Sequence, residues 1–165
     1  MYFIKMYLLK IKNLNLLLLV LVIVLTSNKS LGDLLKPNNE IEPLQVVKIQ
    51  LNGLRKNDNP TEDSGIDQTW AFAHPNNKKY TGPIEKFKIM LKGDSYSMLL
   101  NHTENQVTEI YKSEDVATFE VVVLDKDKKY YKFKWQVEKY KKDGPLKDCW
   151  LTTAVSQPAP MGSSI

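Results

Sequence analysis

The run ATFEVVVLDKDKKYYKFKWQVEK, Ala117–Lys139, decides the fold. Its second half alternates without a break. Tyr131, Phe133, Trp135 and Val137 fall on one side, and Lys132, Lys134, Gln136 and Glu138 fall on the other. A period of two with this chemistry describes an antiparallel strand with one buried and one wet face. Ala117 to Leu124 is rich in β-branched and aromatic residues and reads as the neighbouring strand. Asp125-Lys126-Asp127-Lys128 is the hairpin turn between them, without the glycine such turns usually carry. The lysines of the wet face need only water as a partner.

The same period extends to both sides of this hairpin. Val107, Glu109 and Tyr111 alternate with Thr108 and Ile110, and Cys149–Val155 forms a last strand after the turn KYKKDGPLKD. The tail SQPAPMGSSI is flexible by composition. Upstream the period becomes helical. Leu44, Val47, Leu51 and Leu54 make the apolar face of a first helix opened by Pro43, and Gly53 within it marks a close contact. A second helix is predicted from Asp63 to Ala73, capped by Ser64, with Ile66 and Trp70 on one side. Pro75 ends it at His74. Asn76-Asn77-Lys78-Lys79 is then an exposed bridge, and Thr81-Gly82-Pro83 opens a third helix that carries Ile84, Phe87, Met90 and Leu91 and stops at Gly93. Tyr96–Leu100 is ambiguous between helix and strand.

A sheet with one apolar face needs a cover, and three amphipathic helices supply it. The expected fold is α+β: three N-terminal helices packed on a curved four-stranded antiparallel sheet. This arrangement is similar to the nuclear-transport-factor-like or cystatin-like cone, a class that commonly holds a pocket between the helices and the concave sheet face. The domain spans residues 42–156, between a linker at 28–41 and a flexible tail at 157–165. With 165 residues there is room for one domain of this size and no second one.

Residues 1–27 form a leader. Lys5, Lys10 and Lys12 flank an apolar run, Leu14–Leu25, interrupted only by Asn15. This is the pattern of a secretory signal peptide, with an uncleaved signal anchor as the alternative because no small-x-small site follows. The expected location is the secretory pathway, secreted or lumenal, with membrane attachment only through the leader and onward routing to an organelle as a variant. Asn28 and Asn101 stand in N-x-[ST] sequons and are the glycosylation candidates. The net charge of +4 comes from the leader: four of the 23 Lys and Arg precede position 31, no Asp or Glu does, and the rest of the chain carries 19 of each. A neutral body gives no electrostatic footprint for nucleic acid.

The motifs of chemistry are sparse. Two histidines and the single cysteine, Cys149, are widely spaced and match no metal-ligand pattern. No phosphate loop, dinucleotide fingerprint or nucleophile elbow occurs. No cofactor is expected. The catalytic candidates are Glu120, His74 and His102. Glu120 interrupts an apolar strand and shares a face with Thr118, Val122 and Leu124; it is a buried carboxylate if that face is concave and a plain polar break if it is the outer one. His74 is explained by capping the last carbonyls of a helix as an imidazolium. His102 is expected to be exposed near a turn. The pocket candidates are Trp70, Phe87, Glu120, Phe133 and Trp135.

Four segments carry a family resemblance: PLQVVKIQLNGLRKNDNPTEDSGI at Pro43–Ile66, TWAFAHPNNKKYTGPIEKFKIML at Thr69–Leu91, YSMLLNH at Tyr96–His102 and CWLTTAV at Cys149–Val155. The chain resembles an uncharacterised family of plant, algal and bacterial proteins that pair a leader with one small domain. The threonine-glycine-proline joint and the Cys-Trp strand are its most specific pieces. The resemblance implies no activity. It places serine where His74 stands here, so it implies no general base at that position. Three functions are compatible with the sequence: a small accessory or binding domain with a pocket for a small hydrophobic ligand, a pocket enzyme of the isomerase, dehydratase or hydrolase kind, and a membrane-tethered interaction or structural protein. A homodimer or an unidentified protein partner fits the first and third.

Overall fold

The computed structural model describes residues 34–163. The leader, the Asn28 sequon and the start of the linker lie outside them. Four helices and one 3-10 turn are followed by five strands: α1 (Pro43–Arg55), α2 (Ser64–Ala71), α3 (Pro75–Thr81), α4 (Ile84–Lys92), the turn Ser97–Leu99, β1 (Glu104–Lys112), β2 (Val116–Leu124), β3 (Lys129–Lys139), β4 (Trp150–Val155) and β5 (Ala159–Ser163). Among the described residues no helix is long and apolar enough to cross a membrane.

The hairpin of β2 and β3 is the centre of the sheet, whose order is β1-β2-β3-β4, all antiparallel. Ala117, Phe119, Val121 and Val123 of β2 and Phe133, Trp135 and Val137 of β3 form the buried face. The turn holds without glycine because Asp125 organises it. Its Oδ1 accepts hydrogen bonds from the backbone N–H of Asp127 (2.9 Å) and Lys129 (2.8 Å), while Lys128 takes the left-handed position at φ 58°. A short polar side chain thus supplies locally what glycine would supply by its freedom.

Three corrections follow from the fold. The tail expected to be flexible contains a strand: Ala159–Ser163, β5, pairs with Lys129–Lys132 of β3, end to end with β4 along the same edge. Ser156 bridges the break, since its N–H donates to Lys134 O and its Oγ accepts from Lys134 N–H, both at 2.9 Å. The exposed bridge at Asn76–Lys79 is the helix α3, so the described residues hold four helices and not three. Pro75 at its first position explains both observations, because proline ends the segment before it and opens a helix equally well. Ser64 does not cap α2. It lies inside the helix with its hydroxyl donating to Thr61 O at 2.6 Å, and the N-cap residue is Asp63, at φ 63°.

The helices cover the apolar face. Val46, Val47, Leu51 and Leu54 of α1 are fully buried against the sheet, each contributing about 2 kcal/mol of apolar burial. α1 and α2 cross at glycine. A Cβ on Gly65 would lie 2.1 Å from Gly53 O and 2.9 Å from the Asn57 Cα, so the backbones touch there and only glycine fits. The loop between them is tied to α4. Asp63 accepts from Lys92 Nζ at 2.9 Å and from Asn57 Nδ2 at 3.4 Å. Burial alone would raise its carboxyl; these bonds and the charges of Lys92 and Lys88 outweigh it and hold the pKa below 3.8.

Candidate functional site

A cavity of about 80 Å³ lies between the helices and the sheet and is partly open to solvent. The apolar part of its wall includes Leu54, Phe87, Met90, Leu91, Leu99 and Val155. Its polar part is Gln50, Thr69, Asn77, Thr81, Tyr96 and Thr152, beside the indole of Trp135. Among the described residues no carboxylate, imidazole, amine, guanidinium or thiol lines it; Tyr96 is the only titratable side chain among them that does, and burial raises its pKa.

Gln50 organises the polar part. It is 1 % exposed and sits on the buried stripe of α1 between Val46 and Leu54. Trp135 Nε1 can only donate, and it does so to Gln50 Oε1 at 3.1 Å and Thr152 Oγ1 at 3.2 Å. Thr69 O can only accept, and it takes Gln50 Nε2 at 3.0 Å. These two partners fix the amide orientation without ambiguity. Thr152 Oγ1 then donates to Gln50 Oε1 at 2.6 Å. One side chain therefore ties α1, α2, β3 and β4 together. The signal for it was present in the sequence: a glutamine three residues after Val47 and four before Leu54 stands on an apolar stripe, where a polar group must find partners.

The joint from His74 to Pro83 forms one wall. Thr152 N–H donates to Phe72 O at 2.9 Å, and Thr152 O accepts from His74 N–H at 2.8 Å and Asn77 Nδ2 at 3.3 Å. This short parallel bridge holds the start of α3 against β4. α3 in turn delivers Asn77 and Thr81 to the cavity. Trp70 stands behind this wall, 5.0 Å from the Phe87 ring, with Lys78 Nζ 5.2 Å from its centroid. Gly82 permits the closure, since a Cβ there would lie 2.9 Å from the indole of Trp70.

Of the pocket candidates, Phe87 and Trp135 line the cavity; Trp70 and Phe133 pack nearby without lining it. Glu120 is on the other face of the sheet. Its side chain is 43 % exposed and ion-paired with Lys132 at 3.3 Å. The reason is the pleat: Phe119 and Val121 point into the core, so Glu120 between them must point out. It borders a shallow outer depression with Ile110, Lys134 and Gln157.

The two histidines are also placed differently from expectation. His74 caps the start of α3 and not the end of α2. Its Nδ1 accepts the Asn76 N–H at 3.0 Å, a role only a neutral ring can fill, and burial lowers its pKa from 6.5, with Lys142 adding and Glu138 opposing. His102 is buried and not exposed, at 1 %. Its Nδ1–H donates to Leu99 O at 2.8 Å and its Nε2 accepts from Asn105 Nδ2 at 2.9 Å. Burial again lowers the pKa, the Leu99 carbonyl opposes this, and the charge of Arg55 adds to it. Both rings are engaged in holding backbone and lie outside the cavity wall. Cys149 is buried, and burial together with the charge of Asp148 pushes its thiol up. Asn101 is exposed at φ 55°, its Oδ1 accepting from Asn57 N–H at 3.3 Å. Among the described residues no group of three or more His, Cys, Asp or Glu is placed to hold a metal ion.

Comparison with curated proteins and with solved structures finds no match. Residues 37–157, most of the chain, match a family of domains whose function is unknown. The chain belongs to that family, the domain of unknown function DUF4864.

Proposed function

We propose that this domain is a binding module whose cavity between helices and sheet takes a small, uncharged, largely apolar ligand. The observation that carries the reading is the wall itself: mostly apolar side chains, a few fixed polar groups and no ionisable acid, base or nucleophile apart from the tyrosine. Acid–base chemistry most often uses an imidazole or carboxylate beside the reacting atoms; Glu120, His74 and His102 are all committed elsewhere, and the one tyrosine of the wall, Tyr96, has its pKa raised by burial and its hydroxyl donating to Val155 O. The volume is about half of that in an engineered cavity that holds benzene, roughly 150 Å³, so the ligand, or the part of it that enters, is compact. Three ladder irregularities, at Ile110, between Gln136 and Val137, and between Tyr130 and Tyr131, bend a sheet, and they support the reading of the fold as a cone of the nuclear-transport-factor-like or cystatin-like class.

Methyl-resolved NMR of the full-length chain tests it. Small neutral cyclic probes should shift the methyls of Leu54, Met90, Leu91 and Val155; Ala73 also lines the cavity, and Ala73→Leu, which fills the space, should abolish the shifts and leave the fold intact. Unchanged binding to Ala73→Leu, or shifts produced only by charged probes, sinks the proposal.

A second reading, association through the sheet edge, is favoured by β1. It is an edge strand with Ile110 53 % and Tyr111 57 % exposed. Ile110→Lys should lower any self-association seen by sedimentation; a monomer at all concentrations removes this reading.

A further inference from the structure

We infer that the ligand of this cavity carries a hydrogen-bond donor, a hydroxyl or N–H, on an otherwise apolar frame; the inference rests on the binding reading above. The hydrogen-bond balance of the wall carries it. Every hydroxyl proton is already committed within the protein. Thr69 Oγ1 donates to Gly65 O at 2.8 Å and Thr81 Oγ1 to Asn77 O at 2.9 Å. Tyr96 Oη donates to Val155 O at 3.4 Å, and Thr152 Oγ1 to Gln50 Oε1 at 2.6 Å. The Trp135 N–H is shared between Gln50 and Thr152.

A hydroxyl that has donated keeps its acceptor lone pairs. Thr69, Thr81 and Tyr96 therefore retain them in full, Thr152 retains what Trp135 leaves, and Asn77 Oδ1 is also an acceptor. Gln50 Oε1 is saturated by its two donors. Against this stand two remaining donors, the second N–H of Gln50 Nε2 and that of Asn77 Nδ2, whose first N–H groups go to Thr69 O and Thr152 O. The wall is thus richer in acceptors than in donors. It carries neither a cation nor an anion to balance an ionised group. A ligand that brings a donor satisfies acceptors that an apolar or acceptor-only ligand would desolvate and leave unpaired.

Pyrrole and furan test this directly, as five-membered rings of nearly equal size. Pyrrole has an N–H and no lone-pair acceptor; furan has an oxygen acceptor and no donor. Titration of the methyl-labelled full-length chain with each is expected to give pyrrole on the order of fivefold tighter binding, the worth of one neutral hydrogen bond. Equal affinity, or tighter furan, overturns the inference and leaves the cavity reading standing. Failure of both to shift any methyl of the wall overturns the cavity reading and the inference with it.

Discussion

Gln50→Glu and Gln50→Leu, measured as a pair, probe the hydrogen-bonded centre of this domain. Glutamate keeps the shape of glutamine and the acceptor that Trp135 and Thr152 use, but replaces the donor facing Thr69 O by an oxygen. When ionised, that carboxylate is buried and opposed by a carbonyl, with no cation in the wall to offset it. Burial of this kind raises a carboxyl pKa by several units, and each unit corresponds to about 1.4 kcal/mol. The expected cost is about 4 kcal/mol at pH 8. The sign of the pH dependence follows from the direction of the shift. The folded variant binds its proton more tightly than the unfolded chain, so the penalty shrinks as pH falls, because the protonated carboxyl can again donate to Thr69 O. Gln50→Leu strands the Thr152 hydroxyl and removes two further hydrogen bonds, a cost of about 3 kcal/mol after allowing for the added apolar burial. That cost has no proton in it. Urea unfolding followed by tryptophan fluorescence, referred to wild type at each pH from 5 to 8, separates the two. Gln50→Glu should recover by about 2 kcal/mol or more on acidification, and Gln50→Leu should run parallel to wild type. A Gln50→Glu variant as stable as wild type at pH 8, or parallel curves for both variants, would refute the buried network.

Gly65→Ala should cost about 3 kcal/mol or abolish folding, because its Cβ meets backbone at 2.1 Å, whereas Gly53→Ala, at 3.2 Å from Gly65 O, should stay within about 1 kcal/mol of wild type as helix propensity offsets the tighter contact; equal effects in thermal unfolding would argue against the crossing described. His102 and His74 are both neutral when folded, with pKa values below the ordinary 6.5, so their contribution is complete above 6.5 and declines as pH falls below it. His102→Gln should flatten part of the stability loss between pH 7 and 5, and a slope identical to wild type contradicts this. If the leader routes the chain into the secretory pathway, expression in eukaryotic cells should yield a glycosidase-sensitive band lost in Asn101→Gln, and mass spectrometry of the mature N-terminus distinguishes cleavage from a retained anchor; an unglycosylated chain recovered in the cytosolic fraction removes that route.

The sequence by itself determined the sheet hairpin, the three longer helices and the apolar faces they bury. These are properties of local periodicity: Phe133, Trp135 and Val137 must share a face because strands alternate, and Val47, Leu51 and Leu54 must because helices turn every 3.6 residues. It also marked Gly53 as a contact. What it left undecided depends on which strand or helix lies opposite. Glu120 was open between buried and outer until the pairing of β2 with β3 set the buried face. His74 and Pro75 stand at a helix boundary on any reading, but whether the ring caps an end or a beginning depends on α3, whose seven residues are too short and polar to show a periodic face and which is held by Thr152 of β4. Sequence distance hides the tail's pairing with β3 in the same way. The cavity is the extreme case. Gln50, Thr69, Trp135 and Thr152 lie up to 102 residues apart in the chain, and only the packing of helices on sheet brings their donors and acceptors together and leaves a space beside them.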